Sequence, residues 1–310
     1  MKEVLEYLDP KPGQNYIDCT LGNGGHAIEL ARRAGKVVGI DLDEEIIELA
    51  KERIKSEGLG NITTVHDNYR NIQKIILEQK VSPVNGILLD LGLSSFELQD
   101  EKRGFSFQIN SPLDMRYHTN SSANSTNSLP ISRLTAGEII NKWPESELAR
   151  IFREYGEERY AKQIAREIVA VRHEKPIHTT FDLLLIIEQV YRNKPKPKIH
   201  FATKVFQALR IMVNDELGNI RTVLPLAIEA LNAGGRLAVI SFHSLEDRIV
   251  KDLFREEARG CICPPKLPIC NCGHKPRIKI LTKKPIIASD EEVRANPRSR
   301  SAKMRVVEKI

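Results

Sequence analysis

The sequence predicts an α/β protein: a doubly wound, mostly parallel sheet whose chain is interrupted by a helical insertion. Three observations predict it. Over 16–43 an apolar run ends in a glycine turn (Y-I-D-C-T-L-G-N-G-G-H), a helical stretch follows, and a second apolar run ends in acids (V-V-G-I-D-L-D), the layout of a first βαβ unit. Strand and helix patterns keep alternating to residue 91. From 104 to about 206 the alternation stops and only helical periodicity is found.

Each element has its own warrant. Residues 44–55 place Ile46, Ile47, Leu49, Ala50 and Ile54 at helical spacing, and Ile62-Thr63-Thr64-Val65 is β-branched and strand-like. Residues 72–77 read as helix, and Gly86-Ile87-Leu88-Leu89-Asp90-Leu91 as a strand apolar on both faces, the kind a parallel sheet requires. In the insertion, 145–155, 158–172 and 180–191 carry helical periodicity, with Thr179 or Thr180 as an N-cap. Its entrance, 118–128, is a Ser/Asn-rich run without apolar periodicity, expected to be a mobile surface loop, and its exit, 193–198, is a Pro/Lys punctuator. Residues 215–231 form a long amphipathic helix that Pro225 should kink or split. After Ala233-Gly234-Gly235 the strand 236–241 resumes the sheet, and 277–281 with 302–307 read as a closing hairpin around a long loop. The resulting domains are 1–103 and 207–310, two parts of one cofactor domain, with 104–206 as a helical insertion between them.

Composition and charge set limits on function. The chain has 310 residues and 41% hydrophobic content, enough for a sizeable core. It has no run of about 18 apolar residues, and Met1-Lys2-Glu3-Val4-Leu5-Glu6 places acids where a secretory signal needs an apolar stretch, which predicts a soluble cytoplasmic protein. The net charge of +6 is unevenly spread: 159–210 hold 11 Lys/Arg against 4 acids, 274–310 again 11 against 4, and the remainder is net negative. Segregated positive charge suits a phosphate backbone, through counterion release and steering. A solvated helix face and a basic tail would explain either segment alone; two of them flanking a cofactor fold point to nucleic acid.

The glycine turn also bears on the ligand. A dinucleotide fold would show G-x-G-x-x-G cradling a pyrophosphate, whereas Gly22-Asn23-Gly24-Gly25-His26 follows an acid, Asp18, at a strand end. That carboxylate would repel a pyrophosphate but attract the sulfonium and ammonium of S-adenosylmethionine. The same acid argues against NAD and an oxidoreductase.

The strand ending Leu89-Asp90-Leu91-Gly92-Leu93-Ser94-Ser95 brings polar groups to the carboxyl edge, where open α/β sheets bind ligands. Methyl transfer to an exocyclic amine needs an in-line approach of about 3–3.5 Å and an acceptor for an amine N–H. Asp90 could be that acceptor, or could hold the cofactor while Ser94 or a backbone carbonyl accepts the proton. Attack at carbon 5 of a pyrimidine would need a Cys nucleophile, which this loop lacks, so a nitrogen target fits better. In Ser241-Phe242-His243-Ser244-Leu245-Glu246-Asp247-Arg248, Phe242 or His243 could stack on an extruded base, while a capping box from Ser244 to Asp247 would explain part of the motif without function. Cys261, Cys263, Cys270 and Cys272 fall within 12 residues, but C-x-C is tighter than the usual C-x₂₋₄-C of zinc sites. A Pro-stiffened loop without metal is the reading adopted, a structural zinc the alternative, and no metal ligand is assigned.

With these motifs in hand, the chain resembles the bacterial 16S rRNA cytosine N4-methyltransferases, the MraW/RsmH family. The matching pieces are D-C-T-L-G-N-G-G-H (18–26), I-D-L-D (40–43), L-D-L-G-L-S-S (89–95), R-G-F-S-F (103–107), S-P-L-D-M-R (111–116), S-F-H-S-L-E-D-R (241–248), C-I-C-P-P (261–265) and N-P-R-S-R-S-A-K-M-R (296–305). The resemblance implies a Rossmann-like class I methyltransferase whose inserted helical domain recognises substrate. It further implies S-adenosyl-L-methionine as cofactor, and as substrate N4 of a cytidine in the decoding centre of 16S rRNA, on the assembled small subunit or a late precursor. By motif, cofactor contacts fall on Gly24, Gly25, His26, Asp41, Tyr69 and Asp90, with Tyr69 where an aromatic can pack on adenine; the catalytic candidates stay those read from the residues, Asp90, Ser94 and His243. Glu97 stands where family members often have Gln. The usual H-x-P-V-L segment before the first helix is missing, and the Ser/Asn run lengthens the loop after Arg116. The reading from another class is a catalytically silent RNA-binding assembly factor on the same fold.

Overall fold

The computed structural model describes residues 1–117, 134–195, 197, 199–261, 263 and 271–310; the Ser/Asn-rich run, Lys196, Lys198 and Cys270 lie outside the described residues. The chain forms two compact units, one of Met1–Gly92 with Leu217–Ile310, the other of Leu93–Glu216. The sequence-based limits at 103 and 206 fall inside the second unit. Fold periodicity cannot see this, because the segment after 92 and the helix before 217 carry no strand signal of their own.

The first unit opens with α1 (Lys2–Leu8) and then alternates β1 (Asn15–Asp18), α2 (Gly25–Ala31), β2 (Lys36–Asp41), α3 (Glu44–Ser56), β3 (Ile62–His66), α4 (Ile72–Gln79) and β4 (Val84–Asp90). These four strands are parallel. Ile87, Leu88 and Leu89 of β4 are fully buried, as expected for a strand with helices on both faces. Gly39 in β2 has a close-packing reason: a Cβ there would collide with the Leu21 side chain. Asp43 starts α3 by accepting a hydrogen bond from Glu45 N–H, with Glu44 and Glu45 favourably placed in the first turn.

The second unit is helical: α5 (Ser95–Gln99), α6 (Ala136–Lys142), α7 (Glu145–Glu154), α8 (Ala161–Glu174), α9 (Thr180–Tyr191) and α10 (Thr203–Asn214). Thr179, one of the two expected caps, makes a capping box with Asp182 ahead of α9, and Thr135 does the same with Glu138 ahead of α6. Ile139, Phe152, Ile164, Leu183, Val205 and Leu209 meet in one buried core.

The chain then forms α11 (Glu216–Ala230), β5 (Leu231–Ser241), α12 (Ser244–Glu257), β6 (Ile278–Ile280), β7 (Ile286–Ile287), α13 (Asp290–Ala295) and β8 (Lys303–Lys309). The strand order is β3-β2-β1-β4-β5-β8-β6, with β7 pairing β8, so the sheet is doubly wound about β1 and β4. β5 is parallel to β4, and β8 is antiparallel to both β5 and β6.

Three expectations are corrected. Pro225 does not split its helix: α11 is one element, with Ile220, Val223, Leu224, Ala227 and Ile228 buried along it. A mid-helix proline costs about 3 kcal/mol, and each of the larger buried side chains contributes about 1.5–3 kcal/mol, so packing wins. The closing pair is antiparallel as expected, but it is not a plain hairpin around a loop: β7 and α13 lie in the connection, and β8 is seated between β6 and β5. The cap of α12 is His243 with Glu246, not Ser244 with Asp247. Asp247 is instead engaged by Arg305, at 2.6 and 3.1 Å.

Candidate functional site

Three parallel strands end in acids on the carboxyl edge: Asp18 on β1, Asp41 on β2 and Asp90 on β4. Because β1 lies between β2 and β4, Asp18 is central, flanked by the other two. The turn after β1 ties the three together. Thr20 N–H donates to Asp18 Oδ1 at 3.1 Å, Asp90 N–H donates to Thr20 Oγ1 at 2.7 Å, and Gly22 N–H donates to Asp41 Oδ2 at 2.8 Å. Asp43 N–H donates to Asp41 Oδ1 at 3.0 Å. Gly24 makes this possible: it caps α2 at φ 74°, a left-handed backbone that glycine adopts without strain. Gly25 and His26 begin the helix, and His26 Nε2 sits 3.2 Å from Asp90 Oδ2.

Burial dominates the electrostatics. Asp18 is fully buried, and desolvation pushes its carboxyl up to about 7 although His26 and the Thr20 N–H pull the other way. Desolvation likewise raises Asp41 to about 6, against the Asp43 and Gly22 N–H groups that favour its charge. For His26, burial lowers the imidazole, but the hydrogen bond and charge of Asp90, with the charge of Asp18, outweigh it, and the net shift is upward. The edge therefore retains protons that ordinary carboxylates have lost, because its surroundings solvate their charge poorly.

The remaining sequence candidates are placed separately. Tyr69 lies half-buried in a 3₁₀ turn, Tyr69–Asn71, just after β3. His243 precedes α12; Glu246 accepts hydrogen bonds from Phe242 N–H at 2.8 Å and His243 N–H at 3.2 Å, and its other oxygen lies 3.1 Å from His243 Nε2. In the second unit Ser94 and Glu97 form the capping box of α5: Glu97 N–H donates to Ser94 Oγ at 3.2 Å and Ser94 N–H to Glu97 Oε2 at 2.6 Å.

A model of the MraW methylase family matches residues 1–310. The chain belongs to the MraW methylase family. The ribosomal RNA small subunit methyltransferase H of Heliobacterium modesticaldum is 47% identical over 315 residues, covering 100% of this chain and 97% of the relative. The protein of the same name from Carboxydothermus hydrogenoformans is 46% identical over 311 residues, covering 100% and 96%. Among solved structures, an rRNA methylase from Streptococcus thermophilus aligns over 100% of this chain and 93% of its own with a TM-score of 0.42 and 12% identity.

A methylase needs a methyl donor, and the edge fits S-adenosylmethionine on its own chemistry. Asp18 Oδ2 and Asp90 Oδ1 are buried and lack a hydrogen-bond partner among the described residues. Unmet carboxylate oxygens are costly and suit groups that bring N–H or O–H donors, as an aminoacyl ammonium, a ribose or an amine does, and their charge suits a sulfonium nearby. Beside a pyrophosphate the same oxygens would be repulsive.

Two residues of this methylase site were not singled out from sequence, Thr20 and Asp43. Both had a signal. An Asp followed two residues on by a backbone donor is an Asx turn, which the spacing Asp18-Cys19-Thr20 permits, and Asp41-Leu42-Asp43 repeats it immediately ahead of a helix starting Glu44-Glu45.

Proposed function

We propose that this methylase uses S-adenosyl-L-methionine to methylate N4 of a cytidine in the decoding centre of 16S rRNA, acting in the cytoplasm on the small ribosomal subunit. The observation that carries the reading is the set of desolvated carboxylates with unmet oxygens on the sheet edge of a methylase-family chain. Its relatives' name supports the rRNA of the small subunit as substrate. No helix among the described residues is long and apolar enough to cross a membrane.

Bound at this edge, S-adenosylmethionine supplies an electrophilic methyl group. Gly24, Gly25, His26, Asp41, Tyr69 and Asp90 hold it, Asp41 as the acceptor for ribose hydroxyls and Tyr69 as the face for the base. Glu97 stands where the resemblance places a further contact. Asp90 has two tasks divided between its oxygens. Oδ2, positioned by His26, takes part in holding the cofactor, while Oδ1 accepts an N–H of the target amine, so that the nitrogen lone pair is released from the ring. Ser94 keeps a hydroxyl proton to donate while its oxygen caps α5. His243, fixed by Glu246, offers a ring on which an extruded base can stack.

The second unit suits RNA by its aromatic and cationic side chains. Phe107 stacks on His200 at 4.4 Å, His200 on Phe201 at 4.2 Å, and the series continues through Tyr191 to Tyr160, with Lys194 5.2 Å and Arg159 5.6 Å from the Tyr160 ring. Unstacked bases bind such platforms, and the cations meet the backbone. This supports the insertion as the substrate-recognition domain.

The test is methyl transfer from labelled S-adenosylmethionine to purified small subunits, followed by nucleoside analysis. We expect N4-methylcytidine. Methylation at carbon 5, or cofactor binding without transfer, would overturn the reading, the latter in favour of the silent assembly factor.

A further inference from the structure

The cysteines near the end of α12 are not used by the methyl-transfer site. Cys261, Cys263 and Cys272 each offer a sulfur, and the three sulfurs lie within 4.8 Å of one another. Cys261 and Cys272 are exposed and Cys263 is half-buried, so apolar burial does not explain why they converge. Burial is the usual reward for packing a cysteine, and two of these three are exposed.

The spacing has a chemical meaning. Cys272 Sγ lies 3.8 Å from Cys261 Sγ, far beyond a disulfide bond of about 2.05 Å. Two zinc–sulfur bonds of about 2.3 Å at a tetrahedral angle put their sulfurs about 3.8 Å apart. Cys263 N–H also points to Cys261 Sγ at 3.4 Å, and a backbone donor on sulfur favours the thiolate, the form that binds metal. The C-x-C spacing, tight for a metal pair on its own, is completed by a third sulfur from Cys272.

We infer that Cys261, Cys263 and Cys272 form a structural zinc site that clamps the connection between α12 and β6. Zinc is the metal that three thiolates without a redox role select. Three sulfurs leave one tetrahedral position for water or a further donor. The clamp is independent of the methyl-transfer chemistry, since none of its ligands belongs to the carboxylate edge.

The experiment uses the full chain, purified without chelator under reducing conditions. Elemental analysis should find about one zinc per chain, and the C261S/C263S/C272S triple variant should lose it while keeping the wild-type circular dichroism. In the single variants, zinc affinity measured by competition with a chromogenic chelator should fall by more than the about 10–100-fold that loss of an outer-shell partner costs a metal site. If the triple variant does not fold, the wild-type protein loaded with Co²⁺ decides the matter: tetrahedral ligand-field and thiolate charge-transfer bands support the site, and an octahedral spectrum overturns it. Zinc retained by a folded triple variant, a metal-free wild type that takes up no zinc, or a Cys261–Cys272 disulfide found by thiol counting before and after reductant would each overturn it as well.

Discussion

The carboxylates at the sheet edge of the first unit are placed differently from those of the second. In the second, Asp100 meets Arg103 at 2.7 Å, Asp114 holds Arg116 through two 2.7 Å bonds, and Glu216 accepts from Arg210 at 2.7 and 3.0 Å and from the Tyr117 hydroxyl at 2.8 Å. At the sheet edge of the first, Asp18, Asp41 and Asp90 have no arginine or lysine partner among the described residues; His26 is their one side-chain cation. The first arrangement fixes loops and helix ends. The second leaves charge incompletely compensated, as the proposed binding of a cationic ligand requires. The paired acids of the second unit support the fold, as Asp247 with Arg305 does in the first, whereas the three edge acids are left without such a partner at some cost to the fold.

The contrast is most sharply tested at Asp90. Asp90→Asn keeps the shape but loses the charge, and methyl transfer should fall by about 10²–10⁴-fold in kcat/KM with no loss in the urea midpoint. Wild-type turnover in this variant would remove Asp90 from the chemistry. Next comes Glu216→Gln, which removes the charge that Arg210 meets at 2.7 and 3.0 Å in a partly buried position. Stability should fall by about 3–5 kcal/mol, read from urea unfolding; an unchanged midpoint would show that the pair is not structural.

The third expected effect is on pH dependence. Asp18 and Asp41 have folded-state values of about 7 and about 6, above the ordinary 3.8. The folded protein therefore holds protons that the unfolded chain has released. The stability these groups contribute is complete below the ordinary value and is lost as pH rises through 6 and 7, and the raised His26 adds in the same direction. The donor-free protein should be less resistant to urea at pH 8 than at pH 5, and Asp18→Asn should flatten that slope. Donor binding near pH 6.5 should release protons, seen as a buffer-dependent calorimetric enthalpy; a buffer-independent enthalpy would count against the desolvated edge. Smallest is Ser94→Ala, which should cost about 1 kcal/mol as a lost N-cap. A loss of turnover much larger than that would assign the hydroxyl a part in catalysis.

Much of the frame was legible because it depends on local pattern. The strands β1, β2, β4 and β5 each carry an apolar stretch, and the glycines at 22, 24 and 25 mark a tight turn between strand and helix. Asp18, Asp41 and Asp90 could be assigned to one edge because strand ends share an edge in a parallel sheet. What escaped depends on distant residues meeting. The His26–Asp90 contact joins positions 64 apart, Arg305 reaches Asp247 across 58, and neither spacing leaves a trace in sequence. The split expected at Pro225 is absent for a related reason: its cost is local, whereas the burial of Ile220, Val223, Leu224, Ala227 and Ile228 depends on the fold around them. Ser244 and Asp247 matched the capping pattern as well as His243 and Glu246 did in general form, and only the backbone distinguishes them.

The seating of β8 between β5 and β6 carries a consequence for biogenesis. Until Lys303–Lys309 have been made, β5 presents an open hydrogen-bonding border along Leu237, Ala238 and Val239, all buried in the finished protein. An unpaired apolar border of that kind is a template for pairing with other chains. The helical unit, continuous in sequence from 93 to 216, can consolidate earlier, so the nascent polypeptide passes through a stage in which one half is settled and the other is adhesive. Protection of that border during translation, by speed or by a chaperone, is then a condition for a good yield of native protein.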